Sequence, residues 1–213
     1  MVLPDVRATG QTEVVATGVS FEGYLEHHAE FHREWVDGTV VQMPPIGLRH
    51  EEIRDYIRML LQAYFALNRI GRVIGEPFVL KLPEMKRGRE PDLFVILNAN
   101  PRTLHDTYME GAADIVIEVL SPATQAVDRG DKFDEYEGGG VQEYWIIDPV
   151  RNDALLYRLN SDGVYNRQSE DVGGNYTTPL LPKFRLHVPT LWQPALPDYM
   201  QVADAVRAMW EAE

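Results

Sequence analysis

The chain has no cysteine, which excludes disulfides, zinc–thiolate centres and a cysteine nucleophile. It has no apolar run of the roughly 18 residues that a membrane-spanning helix needs. The opening segment, Met1 to Arg7, lacks the basic-then-apolar pattern of a secretory leader, and the expected location is cytoplasmic. Internal repeats and low-complexity linkers are also missing. Positive charge is scarce: 20 Lys and Arg stand against 33 Asp and Glu, for a net charge of -13 over 213 residues. Phosphate neutralisation supplies most non-specific nucleic-acid affinity, so this balance argues against a broad basic binding face. Any contact with nucleic acid has to be local, metal-assisted or weak. What is present is a 45% hydrophobic composition, enough to bury a core, in a length that suits one domain.

Local patterns divide the chain. Residues 1–18 read as a poorly ordered arm and residues 19–213 as a single domain. Ser20 is a candidate cap for a helix running to about Glu30. Two strand-like runs, Phe31–Val36 and Thr39–Met43, flank Asp37-Gly38, a hairpin signal. Ile53, Ile57, Leu60, Leu61, Tyr64 and Leu67 recur at helical spacing and predict a helix over His50–Asn68. Arg72–Leu82 reads as strand broken by Gly75 and Pro77. Pro91–Leu97, Asp114–Leu120 and Glu143–Asp148 are nearly continuous apolar runs, as expected for strands covered on both faces. Residues 124–138 predict a helix ended by three glycines. Leu155–Leu159 with Val164–Gln168 predicts a hairpin, Arg185–Val188 an edge strand, and Ala203–Trp210 a terminal helix. The expected class is α+β: a mixed central sheet flanked by helices, with an N-terminal helix and β-hairpin.

Two acids break the apolar runs. Glu118 lies inside Asp114–Ser121, and Asp92 opens Pro91–Leu97. A buried ionised group must be paired, protonated or bound to a metal. Alternation puts Glu118 on one face with Val116 and Leu120. If the two strands pair antiparallel, the start of one lies beside the end of the other and the carboxylates converge. That supplies hard oxygen ligands of the kind Mg²⁺ or Mn²⁺ accepts.

Pro91-Asp92 followed by Ile117-Glu118-Val119-Leu120 resembles the PD-(D/E)xK nuclease superfamily. The segments Trp35–Gly38, Met43-Pro44, His50, Pro91–Val95, Ile117–Pro122, Asp128–Phe133 and Gly140–Pro149 resemble, more closely, the bacterial Uma-type family of restriction endonucleases, over about Phe21 to Leu186. The resemblance implies a restriction-endonuclease-like fold and a metal-dependent endonuclease acting on DNA. It implies metal ligation by Asp92, Glu118 and the Val119 carbonyl, with Lys132 as the catalytic lysine. Lys132 stands on the following helix, whereas the superfamily usually places its lysine two residues after the second acid, here Leu120. Glu34 and His50 match accessory family positions. A homodimer is expected, because cutting a duplex commonly uses two copies.

Plainer readings stand beside these. Glu118 can be a buried acid paired with Arg or Lys. Asp128 and Lys132 can be a solvated i,i+4 pair worth roughly 0.3–0.5 kcal/mol. His50 can be a surface or capping residue, and His27, His28 and His32 lack metal spacing. Tyr136, Tyr144 and Trp145 read as core, and Asp148 as a turn residue. The rival functions are a catalytically inactive binding or assembly module, favoured by the net charge, and a metal-free acid–base hydrolase using Asp92 and Glu118.

Overall fold

The computed structural model describes residues 13–211. The chain opens with β1 (Glu13–Thr17), α1 (Phe21–His27), β2 (Arg33–Val36), β3 (Thr39–Gln42) and the long α2 (Leu48–Leu67). There follow β4 (Gly71–Gly75), β5 (Val79–Leu82), β6 (Arg87–Arg89), β7 (Leu93–Leu97), β8 (Thr103–Leu104), β9 (Tyr108–Glu110) and β10 (Ile115–Val119). Two short helices, α3 (Gln125–Arg129) and α4 (Asp131–Gly138), lead into β11 (Glu143–Asp148), β12 (Asp153–Leu159) and β13 (Tyr165–Gln168). The small ribbon β14 (Asn175–Tyr176) and β15 (Leu186–His187) precedes α5 (Tyr199–Glu211).

The central sheet has six strands in the order β13-β12-β11-β10-β7-β4. All its pairs are antiparallel except β10 with β11. A parallel neighbour requires a crossover, and α3 and α4 provide it. One face of the sheet packs on α2 and α5: Ile57, Leu61 and Val206 meet Leu93, Ile117 and Trp145 in a single cluster. The stripe that predicts α2 is the face that does this packing, although Leu67 at its end is 52% exposed. The other face meets Tyr136 of α4, together with Leu80, Leu82 and Met109 from a second, seven-stranded sheet. That sheet runs β1-β3-β2-β6-β5-β9-β8 and carries α1 on its own small cluster around Phe21 and Tyr24. Apolar burial on both faces explains the unbroken apolar runs of β7, β10 and β11.

Several expectations meet a different outcome. Residues 1–12 of the expected arm lie outside the described residues, whereas Glu13–Thr17 is not irregular: it pairs with β3. Arg72–Leu82 is two strands that belong to different sheets. The helix expected over 124–138 breaks at Gly130, where an added Cβ would sit 2.9 Å from the Ala126 carbonyl oxygen. The strand expected at Arg185–Val188 is reduced to Leu186–His187, paired with β14. Among the described residues, no helix is long and apolar enough to cross a membrane.

Trp145 joins the layers. It is fully buried, lies edge-on to Tyr176 at 5.4 Å and stacks on Phe184 at 6.3 Å. Its indole N–H donates to Glu143, a buried carboxylate that also accepts from Tyr176, Thr178 and Arg158. Trp145→Ala is expected to lower unfolding free energy by about 3–5 kcal/mol, measured by urea denaturation. A loss below about 1 kcal/mol would contradict this packing.

Candidate active site

The register of the central sheet builds the site. Ile117 of β10 lies opposite Leu93 of β7, so Glu118 stands beside Asp92, just outside the end of β7. The Asp92 N–H points at Glu118 Oε2, 3.4 Å away, and Asp92 Oδ2 accepts from the Val119 N–H at 2.6 Å. The other Asp92 oxygen meets His50 Nε2 at 2.9 Å, which ties the strand to the first turn of α2. Asp92 and Glu118 thus converge by antiparallel pairing, as the sequence suggests.

The crossover brings the lysine. Asp128, Lys132 and Tyr136 lie four residues apart and face the sheet from α3 and α4, all buried. Lys132 Nζ is 2.9 Å from Glu118 Oε1, 3.1 Å from Glu34 Oε1 and 3.2 Å from Asp128 Oδ1. The Tyr136 hydroxyl donates to Glu118 Oε1 at 3.0 Å. Behind Lys132, Glu34 Oε2 accepts from Arg89 at 2.6 Å, and Arg89 is held by both oxygens of Glu135 at 2.8 Å. The solvated i,i+4 reading of Asp128 and Lys132 therefore fails: both are about 2% exposed. His50 is likewise buried rather than a surface residue.

Sequence reasoning brings Asp92, Glu118, Lys132, Glu34 and His50 into one neighbourhood, with Val119 lining the same narrow cleft. It misses Tyr136, Arg89, Glu135 and the buried role of Asp128. The one available signal is the spacing Asp128–Lys132–Tyr136, which repeats on one helical face.

Electrostatics separate the roles. Burial pushes the Glu118 carboxyl well above the usual range; Asp128, Asp92 and Glu34 push the same way, and Lys132 opposes them. Burial also raises Asp128. Burial would neutralise Lys132, but Glu118, Glu34 and Asp128 outweigh it and hold the ammonium charged far into the alkaline range. Burial would likewise raise Glu34, yet Lys132 and Arg89 bring it down to about 2. In His50, burial is outweighed by Asp92, which raises the ring above its ordinary value. Were all its acids ionised, the cluster would carry a surplus of negative charge over its cations, and the raised Glu118 and Asp128 carboxyls reflect that.

That surplus bears on a metal. Among the described residues, no three His, Asp or Glu side chains form a ready-made cage. Glu118 Oε2 has only the long contact from Asp92 N–H, however, and buried Asp128 Oδ1 meets only the Lys132 ammonium, at 3.2 Å and outside hydrogen-bond geometry. Hard, under-satisfied oxygens with unbalanced charge fit a divalent cation completed by water.

Replacing Lys132 with Met keeps most of the volume and leaves the carboxylates without their ammonium. Stability at pH 7 is expected to fall by about 3–5 kcal/mol. Lys132 is the charge that holds Glu118 and Asp128 down, so its loss raises both further, and in the variant they bind protons in the folded state at still higher pH, where the unfolded chain has released them. Their burden therefore grows as pH rises from the ordinary carboxylate range toward their folded values, and it lifts as pH falls. The deficit of Lys132→Met should shrink between pH 7 and pH 5 in parallel urea titrations. A deficit that does not change with pH would contradict the charge assignment.

Comparisons with known proteins bear on the fold and the family. A crystal structure of "a putative nuclease belonging to DUF820" from Anabaena variabilis ATCC 29413 superposes with a TM-score of 0.68 and 19% identity, covering 82% of this chain and 97% of that one. At that identity the likeness shows the fold. The uncharacterized protein slr1290 of Synechocystis sp. is 35% identical over 85 residues, which are 38% of this chain and 44% of that protein. The chain thus spans under half the length of that relative. The model of the Uma2 family, described as "Putative restriction endonuclease", matches residues 21–189. This stretch holds every residue of the carboxylate–lysine cluster, and the chain belongs to the Uma2 family.

Proposed function

We propose that this protein is a divalent-metal-dependent endonuclease that hydrolyses phosphodiester bonds in DNA. The observation that carries the reading is the 2.9 Å contact of Lys132 Nζ with Glu118 Oε1, beside Asp92 in the sheet register. Asp92, Glu118 and the Val119 carbonyl would hold Mg²⁺ or Mn²⁺. When bound, such an ion supplies Lewis acidity at the phosphoryl oxygens and acidifies a bound water.

The protein groups divide the remaining work. Lys132 is held protonated by its carboxylates, which supports a role as a fixed cation that stabilises developing negative charge; a general base would need to release its proton near neutrality. Tyr136 fixes the rotation of the Glu118 carboxylate, and His50 that of Asp92. Glu34, locked by Arg89, holds the lysine from behind. Cutting both strands of a duplex favours a twofold pair of chains.

Plasmid relaxation with Mg²⁺ or Mn²⁺ is expected to be abolished by chelator and reduced at least about 100-fold in Glu118→Ala and Lys132→Met. Equal cutting by wild type and Glu118→Ala would sink the reading. The net charge of -13 and the lack of a three-ligand cage among the described residues favour one alternative, an inactive binding or assembly module. Calorimetric Mn²⁺ binding without turnover would decide for that module.

A further inference from the structure

A phosphodiester is an anion, and the cleft it must approach is lined by Glu76, Glu90, Asp92, Glu118 and Asp128. Among the described residues lining that cleft, three can present positive charge: Lys132, His50 and His32. The Lys132 side chain is 2% accessible and engaged with three carboxylates. That of His50 is 7% accessible and engaged with Asp92. The His32 side chain is 36% accessible, so it is the cation of this set that an incoming phosphate can touch.

The backbone is arranged to place it there. His32 is left-handed, with φ 53 and ψ 62, a region that disfavours residues carrying a Cβ. The two N–H groups of the Gln42 side-chain amide hold the turn, shared among the carbonyls of Phe31, His32 and Met43 at 3.1, 3.0 and 3.3 Å. The Met43 N–H adds a bond to the His32 carbonyl at 3.1 Å. The ring then lies with Nδ1 3.2 Å from Glu76 Oε2, and the opposite Glu76 oxygen pairs with Arg54 of α2. Strain held at a cleft mouth is a recognised mark of a functional position.

We propose that His32 is the substrate-contacting cation of this site, its imidazolium meeting a non-bridging oxygen of the phosphodiester at the mouth of the cleft. The inference rests on the endonuclease reading and adds the group that recognises the substrate. Every element packed around the ring favours its charged form or is already committed. Glu76 comes from the turn between β4 and β5, Glu90 from the segment before β7, and the Pro44 carbonyl from the loop after β3. On α2, Arg54 is neutralised by Glu76 and Glu51, and His50 by Asp92. On the strand that follows it, β2, Arg33 turns to Gln42 and His28, and Glu34 to Lys132 and Arg89. The Glu76 bond raises the ring's pKa and burial lowers it; the charge of Glu76 brings the balance above the ordinary histidine value, while Glu90, itself pushed up to about 8 by burial, adds its charge only as pH rises through that value. The contact is therefore present below that elevated value and lost as pH rises through it.

The test uses the full chain with Mg²⁺ and a short fluorescein-labelled DNA duplex, reading kcat and KM from pH 6 to pH 9. His32→Gln is expected to raise KM about tenfold at pH 6.5, the effect of losing one charge-assisted hydrogen bond, with kcat within about threefold of wild type. Wild-type KM should climb with pH toward the His32→Gln value, and His32→Lys should keep KM low up to pH 9. His32→Gly relaxes the left-handed turn, so a KM equal to that of the Gln variant assigns the effect to the ring. Wild-type KM in the Gln variant, or a wild-type KM flat with pH, overturns the proposal. If the wild type does not cut at all, the endonuclease reading fails separately. Fluorescence anisotropy of the same duplex then decides the contact without turnover: equal Kd for wild type and His32→Gln overturns it, and weaker binding by the variant upholds it.

Discussion

One buried ammonium organises this molecule's interior. Lys132 Nζ touches carboxylates from β2, β10 and α3, so three separate pieces of chain are positioned by a single cation. Burying those carboxylates without it would be strongly unfavourable. Burying the ammonium without them would drive off its proton. Each group is therefore tolerable in the interior only because the others are present, and Arg89 with Glu135 extends the same logic one layer outward. The charged cluster sits between the central sheet and the second sheet, beside the apolar contacts that Tyr136 and Phe133 of α4 make there.

How much of this the amino-acid order reveals depends on which contacts are local. Glu118 is legible because a carboxylate inside Ile115–Val119 contradicts its surroundings. Its meeting with Asp92 follows from antiparallel pairing, a rule of strand geometry. Lys132 is different. An Asp and a Lys four residues apart look the same whether they face water or a protein interior, and only the family pattern separates the two. Tyr136 is less legible still: its ring is core, edge-on to Tyr144 at 4.9 Å, and its hydroxyl alone belongs to the site. Arg89 and Glu135 come together only when the second sheet packs on α4, and no periodicity announces that. The division of Arg72–Leu82 between two sheets is hidden for the same reason, because Gly75 and Pro77 mark a break without saying where each half goes.

The acidic composition takes on a clearer meaning beside the cleft. A surface with a net charge of -13 repels a polyanion overall. The interior cluster is rich in carboxylates, and its own positive groups lie mostly buried. On the endonuclease reading, recognition of a phosphate would depend on few contacts at short range, which places weight on residues at the mouth such as His32. The turn that carries His32 is held by the Gln42 amide shared among three carbonyls and by the Met43 N–H on the His32 carbonyl.

The parallel pairing of β10 with β11 has a consequence for how the chain assembles. Because α3 and α4 form the crossover, Glu118 and Lys132 are only 14 residues apart along the backbone, whereas Arg89 and Glu34 are separated by 55. Closing the shorter arc forfeits less conformational freedom than closing the longer one, by about 1 kcal/mol from the logarithmic dependence on loop length. The acid and its ammonium partner thus form a compact cassette of neighbouring chain, and the N-terminal hairpin docks onto it as the more distant arm.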